Sequence, residues 1–347
     1  MKIRILVTVL LLSTVFANLH AQFWHVLPPL EEDNSVGTTF SNDDKRIYYL
    51  ATDSLGKKNI FAIDIKTQTV MQITKFTDAP VVRFFHLPNK PSLVYMKATA
   101  DHPTDYHIYR TDNNAKDQPE DLTPTKPGVQ NIILGEQYNG RYVYYSTNKR
   151  NPSKLDYYRY DAAQNISELV FTNDKAHTLV AWSRDESKVL MLDPSMSKLF
   201  LSDVQTTERF PLYTPAAGKK ILTAMWTPDN KQLFVLESGG SYAESRAFEL
   251  TSPTSISSNS KLLDSGAITY INASINGRCF MEMKNDILGV NDYKTESVTI
   301  LQHITDAVTN AKETYLLECY TLTGALKFRI YDLTKKSSFE PIVVKMH

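Results

Sequence analysis

Asp101, His102, Asp105 and His107 crowd one short stretch with side chains that bind divalent metals or move protons. A helical ligand pair needs histidines about four apart on one face. His102 and His107 are five apart with Pro103 between them, which does not match such a pair. No metal site is assigned there. A second chemical signal is Gly239-Gly240-Ser241-Tyr242-Ala243, which approaches the Gly-x-Ser-x-Gly elbow of a serine nucleophile. Ala243 stands where the elbow needs a second glycine, and the following RAFEL reads as another strand rather than a helix. This segment is read as a loop, and no catalytic residue is assigned.

Any chemistry must be positioned by strands, because long amphipathic helical periodicity is absent. One unit recurs instead. A short apolar strand meets a polar turn with Asn or Asp, and a longer strand rich in Tyr, Phe, Leu and Val follows. A third strand ending near Asp, another turn and a fourth strand complete it. The clearest copy starts at Val36, as VGTTFS, NDDK, RIYYLATD, NIFAIDIK, TQT and VMQITKF. TLVAWS-RDES-KVLMLD from Thr178 and LTAMWT-PDNK-QLFVLES from Leu222 repeat the order, and ITYINAS-ING-RCFMEM from Ile268 does so more weakly.

Asp44, Asn89, Asn139, Asp185, Asp229, Asn276 and Asn310 mark seven copies, mostly in the mid-forties apart. That is the period of four-stranded propeller blades. The expectation is an all-β, seven-bladed β-propeller of four-stranded antiparallel blades. The blades run over about 36–76, 80–123, 128–172, 177–213, 219–263, 267–301 and 303–345. One small sheet cannot bury both faces, whereas radial stacking covers each by its neighbours. Phe40, Trp182, Trp226 and Ile275, each just before a turn, are expected to wedge between blades. Copy seven contains its own four strands, ending in PIVVKM, and FWHVL at Phe23 is the one alternative closing strand.

In such a fold the innermost strands line an axial channel. Their polar candidates are Arg83, Asn131, Asn272 and Asp306. A single carboxylate beside an arginine makes a poor cation cage, so a modest polar channel is preferred to an axial-metal hydrolase resembling a lactonase. No cofactor is expected. Blade three is rich in tyrosine, and Tyr138, Tyr142 and Tyr157 are candidates to grip a peptide wherever they escape the core.

The 38 Lys+Arg balance 38 Asp+Glu, which argues against a nucleic-acid groove. Lys2 and Arg4 precede an apolar run from Ile5 to Leu12, and Leu19-His20-Ala21 precedes Gln22. This reads as a signal peptide over 1–21 and a lead-in over 22–35, exporting a periplasmic or extracellular protein with no membrane insertion after cleavage. Two cysteines, Cys279 and Cys319, cannot build a disulfide framework and are expected as separate strand residues. Asn165-Ile-Ser and Asn272-Ala-Ser match glycosylation acceptors, the second inside an expected inner strand.

FSNDDKR from Phe40 resembles the Phe-Ser-Pro-Asp-Gly-Lys-Arg repeat of TolB-like propellers, with Asn42 for the proline and Asp44 for the glycine. DYHIYRTD from Asp105, DLTP from Asp121, VQNIILG from Val129 and NKRNPSKLDYYRYD from Asn148 form a more specific succession. It resembles the N-terminal propeller of prolyl-oligopeptidase-type serine peptidases of the acylaminoacyl-peptidase branch. There the propeller restricts entry to an α/β-hydrolase domain, of which no segment is recognised here. The resemblance implies a non-catalytic binding or scaffolding module for a peptide or protein partner. An alternative is the propeller half of a split peptidase, whose partner is a separately encoded α/β-hydrolase.

Overall fold

The computed structural model describes residues 37–345 apart from 88–89, 103, 113–117, 136–140, 176, 184, 228–229, 240–245, 252–258, 267, 274–278, 285–286, 293–296, 303–305, 311, 323–324 and 340–341. Few side chains are described over 240–306. The expected signal peptide, the lead-in, the Phe23 strand and most of the Gly239–Ala243 loop lie outside the described residues. What is described is all-β, in antiparallel sheets that follow chain order, with no helix among the described residues.

The first sheet comprises β1 (Thr38–Phe40), β2 (Arg46–Thr52), β3 (Lys58–Asp64) and β4 (Val70–Gln72). The second comprises β5 (Val81–His86), β6 (Ser92–Ala98), β7 (Tyr106–Asp112) and β8 (Glu120–Asp121). The third comprises β9 (Asn131–Gly135), β10 (Tyr142–Asn151), β11 (Lys154–Asp161) and β12 (Ile166–Phe171). The fourth holds β13 (Thr178–Trp182), β14 (Lys188–Leu192), β15 (Leu199–Asp203) and β16 (Arg209–Tyr213). The fifth holds β17 (Lys220–Trp226), β18 (Gln232–Ser238), β19 (Arg246–Thr251) and β20 (Asn259–Ser265). The sixth holds β21 (Ile268–Ala273), β22 (Cys279–Lys284), β23 (Ile287–Asp292) and β24 (Ser297–Gln302).

The last sheet departs from four strands. After β25 (Asp306–Thr309), β26 (Tyr315–Leu322) and β27 (Ala325–Asp332), the outer position is shared by β28 (Ser337–Ser338) and β29 (Ile342–Lys345). β28 pairs with the Tyr331 end of β27 and β29 with its Ala325 end.

Two turn designs repeat and explain the strand lengths. Between first and second strands, Ser41, Ser183, Thr227 and Asn310 each accept, through the side-chain oxygen, backbone N–H groups four or five residues on. Asp44, Glu186, Asn230 and Glu313 take the left-handed φ that closes these turns. The left-handed residue is thus the marker Asp44 itself in the first copy, but lies beyond the markers Asp185 and Asn310, which cap instead. Between third and fourth strands, Asp64, Asp161, Asp203 and Asp332 each accept the N–H groups two and three residues later. Gln68, Asn165, Thr207 and Lys336 follow at φ 55–58°. An aspartate that folds its carboxylate back onto the backbone prescribes this hairpin.

The first strands share another feature. One extra residue bulges from β5, β9, β13, β17 and β21, at Val82, Leu134, Val180, Leu222 and Thr269. Bulges sharpen the local twist of a strand.

The described residues divide into two compact units, one within Leu27–Leu169 and Ile304–His347 and the other within Val170–His303. Within the first, three apolar seams join the first sheet to the last, the first to the second and the second to the third. Phe40, Ile47, Tyr49 and Ile63 pack on Leu317, Cys319, Phe328 and Ile342. Tyr48, Leu50 and Ile60 pack on Val81, Leu93 and Tyr95. Phe85, Val94 and Ile108 pack on Ile133, Val143 and Tyr145. In the second unit, Val180, Leu190 and Leu201 of the fourth sheet pack on Ile221, Trp226 and Val235 of the fifth. Phe40, Trp182 and Trp226 are buried as expected of wedges, whereas Ile275 lies outside the described residues.

Candidate functional site

Polar side chains concentrate where the second sheet meets the third. Arg83 and Asn131, both expected on innermost strands, are brought to this seam and both are buried. Arg83 Nη1 donates to the Ile133 carbonyl at 3.5 Å. Asn131 Nδ2 donates to the Tyr106 carbonyl at 3.0 Å and to Thr125 Oγ1 at 3.3 Å, so its amide ties β9 to β7 and to the chain leaving β8. Asn272 and Asp306 fall on β21 and β25, in different units, and their side chains lie outside the described residues.

The loop that raised the question of metal chemistry ends here. Asp105 N and carbonyl close the loop with the His102 carbonyl and Thr99 N, each at 3.0 Å. Its carboxylate accepts Gly128 N at 2.6 Å, at a glycine whose φ of +87° suits no β-branched or bulky residue. His107 turns elsewhere: Nδ1 meets Asp121 Oδ2 at 2.6 Å, and Nε2 lies 3.4 Å from Thr125 Oγ1. Among the described residues no group of His, Cys, Asp and Glu is placed to hold a metal ion.

Thr125, His107 and Asp121 therefore stand in the order hydroxyl, imidazole, carboxylate, the arrangement that activates a nucleophile. The first sheet supplies its own control for that interpretation. Asn59 occupies on β3 the position of His107 on β7, and Thr74 that of Thr123. Ile60 N donates to Thr74 Oγ1 at 2.8 Å, and Ile108 N to Thr123 Oγ1 at 2.9 Å. Asn59 Oδ1 accepts from Thr74 Oγ1 and Phe76 N, and Nδ2 donates to the Phe76 carbonyl. An amide in one sheet and an imidazole in the next thus staple the third strand to the chain leaving the fourth.

A partly buried ion pair lies instead where the second sheet meets the first, beside Phe76. Lys97, 4% exposed, lies 2.6 Å from Asp78, with its ammonium 4.8 Å from the Phe76 ring and 5.6 Å from that of Tyr109. Burial alone would raise the Asp78 carboxyl, but the Lys97 ammonium and the Ala79 N–H hold it below the usual carboxylate range.

The tyrosine candidates separate sharply. Tyr157 is fully buried on β11 and is corrected from a peptide contact to a core residue. Tyr138 lies outside the described residues. Tyr142 is half-buried, with the Arg141 and Arg159 guanidinium carbons 4.9 and 4.4 Å from its ring. Those arginines pair with Asp161 and Glu168 at 2.7 and 2.9 Å. The basic partners of Tyr142 carry no periodic signal, since Arg159 meets it only through cross-strand neighbours.

Antiparallel four-stranded sheets in chain order, seamed by apolar faces, define a propeller-type protein. No protein-family model and no curated protein matches the chain. Solved structures do. An oligogalacturonate lyase in complex with manganese superposes with a TM-score of 0.64 at 14% identity, covering 85% of this chain and 87% of that one. A puromycin-hydrolysing peptidase of Mycobacterium tuberculosis gives 0.63 at 10% identity, covering 96% of this chain and 55% of that one. A prolyl endopeptidase gives 0.59 at 12% identity, covering 97% and 52%. The likeness is one of fold. The chain resembles the propeller-like part of the prolyl-oligopeptidase-type peptidases and spans about half the length of those two.

Proposed function

We propose that the chain is an exported, non-catalytic module whose sheets are the blades of one seven-bladed propeller and which binds a peptide or protein partner. The observation that carries this reading is the equivalence of His107 and Asn59. The one described array with the order of a nucleophile, base and acid repeats a staple that the preceding sheet builds without an imidazole. Tyr142 with its two guanidinium neighbours is the half-exposed aromatic best suited to a peptide contact. Coverage of nearly all this chain but about half of two peptidases also supports a role beside an α/β-hydrolase domain.

A second reading rests on the lyase, which matches over 87% of its own length and is described with manganese. In that reading the chain is itself an enzyme with an axial metal. The test is to titrate purified protein with acylated peptides by calorimetry and to assay the same samples for turnover. A manganese-supplemented assay on oligogalacturonate runs in parallel. Peptide binding without turnover supports the module. Hydrolysis of acyl-peptides, or manganese-dependent chain cleavage, overturns it.

A further inference from the structure

The residue that ends an innermost strand, just before the first turn, is a buried aromatic in three sheets: Phe40, Trp182 and Trp226. In the second sheet the same place is held by His86. It is 4% exposed, and its ring stacks on Tyr48 of the first sheet with centroids 5.5 Å apart and planes 16° apart. Nε2 has no hydrogen-bond partner among the described residues. A neutral imidazole can serve as a flat apolar wedge, because one of its nitrogens needs no proton. An imidazolium cannot, since both nitrogens must then donate and a full charge must be held against hydrocarbon.

We propose that His86 is an acid-sensitive joint between the first and second sheets, stacked when neutral and forced apart from Tyr48 when protonated. The groups around it offer little to an imidazolium. Tyr48 comes from β2, and Tyr95, on β6, belongs to the same apolar seam, where burial keeps its phenol protonated. Arg83 on β5 turns to the third sheet instead, where it meets the Ile133 carbonyl. Asp43, in the first turn of the neighbouring sheet, is the one carboxylate whose charge favours the imidazolium, and it already accepts Ser41 Oγ at 2.7 Å and Lys45 N at 3.2 Å. Burial accordingly pushes the His86 imidazole down from 6.5 to about 4, against the smaller pull of Asp43.

The sign follows from proton binding. Between pH 6.5 and about 4 the unfolded chain takes up a proton at His86 that the folded chain refuses. Stability contributed by the neutral wedge is therefore complete above 6.5 and is lost as pH falls toward 4, at about tenfold per pH unit in the folding equilibrium. The experiment compares wild-type protein with His86→Phe by hydrogen exchange of peptides covering Arg46–Thr52 and Val81–Ala98 from pH 7 to 4, corrected for intrinsic exchange. Opening of these strands should rise about 100-fold or more in wild type and stay nearly flat in the variant. Histidine NMR of wild type provides the second measurement should the variant not fold. An imidazole of His86 that titrates near 6.5 in the folded chain, or an identical acid response in His86→Phe, would overturn the proposal.

Discussion

Asn59 and His107 stand at the same place in consecutive sheets, each five residues ahead of the aspartate that ends its strand, Asp64 or Asp112. Both reach from the third strand to the chain leaving the fourth. Conservative exchange should therefore be tolerated. His107→Asn is expected to stay within about 1 kcal/mol of wild type, and His107→Ala to cost about 1–3 kcal/mol by stranding its partly buried partners. Denaturant unfolding checks both. If His107 were a general base, the Asn variant would be as inactive as the Ala variant toward any substrate, with stability unchanged.

The Lys97–Asp78 pair predicts an asymmetry. Lys97 is nearly fully buried while the Asp78 side chain is 37% exposed. Removing the acid strands an ammonium among aromatic rings, whereas removing the lysine leaves a carboxylate that water can reach. Asp78→Ala should cost about 2–4 kcal/mol and Lys97→Met less than half as much. Equal losses would show that the pair acts only through packing.

Asp193, which caps the turn between β14 and β15, and Asp332 have an acid signature separate from that of His86. Hydrogen bonds from Ser195, Ser197 and Lys198 overcome the effect of burial and bring the Asp193 carboxyl to about 2. Thr334 and Lys335 do the same for Asp332. Each contributes stability that is present above the ordinary 3.8 and is lost as pH falls from there to about 2. Asp193→Ala and Asp332→Ala should each lower stability at pH 7 by about 1 kcal/mol. Each should also flatten that lowest window in an acid titration followed by circular dichroism.

Tyr142 and Tyr157 should behave oppositely. Tyr157→Ala is expected to cost about 3–5 kcal/mol, as for other large aromatic residues removed from a core. Tyr142→Ala should change stability by about 1 kcal/mol or less and weaken peptide binding in calorimetry. Unaltered affinity in Tyr142→Ala would remove that residue from the contact surface.

The strand order was legible because several copies carry their own punctuation among the described residues. A hydroxyl or Asn cap opens the first turn, and an aspartate ends the third strand before the second hairpin. Phe40, Trp182 and Trp226 announced the wedges, since large aromatic residues before a polar turn have few other uses. His86 escaped notice because its chemistry suggests a ligand or a base, whereas its place in the repeat makes it a wedge. The burial of Tyr157 was equally hidden. Alternation along β11 sets which residues share a face, but not which face is covered, and Tyr157 and Arg159 share one face with very different exposure. Asn131 was read as a channel candidate from its type and its place on a first strand. The carbonyl of Tyr106 and the hydroxyl of Thr125, which claim its amide, come from other strands and turns and leave no trace in local spacing.

The seam joining Phe40, Ile47 and Tyr49 to Leu317, Phe328 and Ile342 couples the beginning of the described chain to its end. A ribosome delivers the two halves of that contact far apart in time. The nascent first sheet must therefore wait with an oily face unclothed while every intervening sheet is synthesised, a state open to chaperones and proteases. Loss of the strands carrying Leu317, Phe328 and Ile342 would make that exposure permanent, so quality control of this protein should be most sensitive to lesions in that sheet.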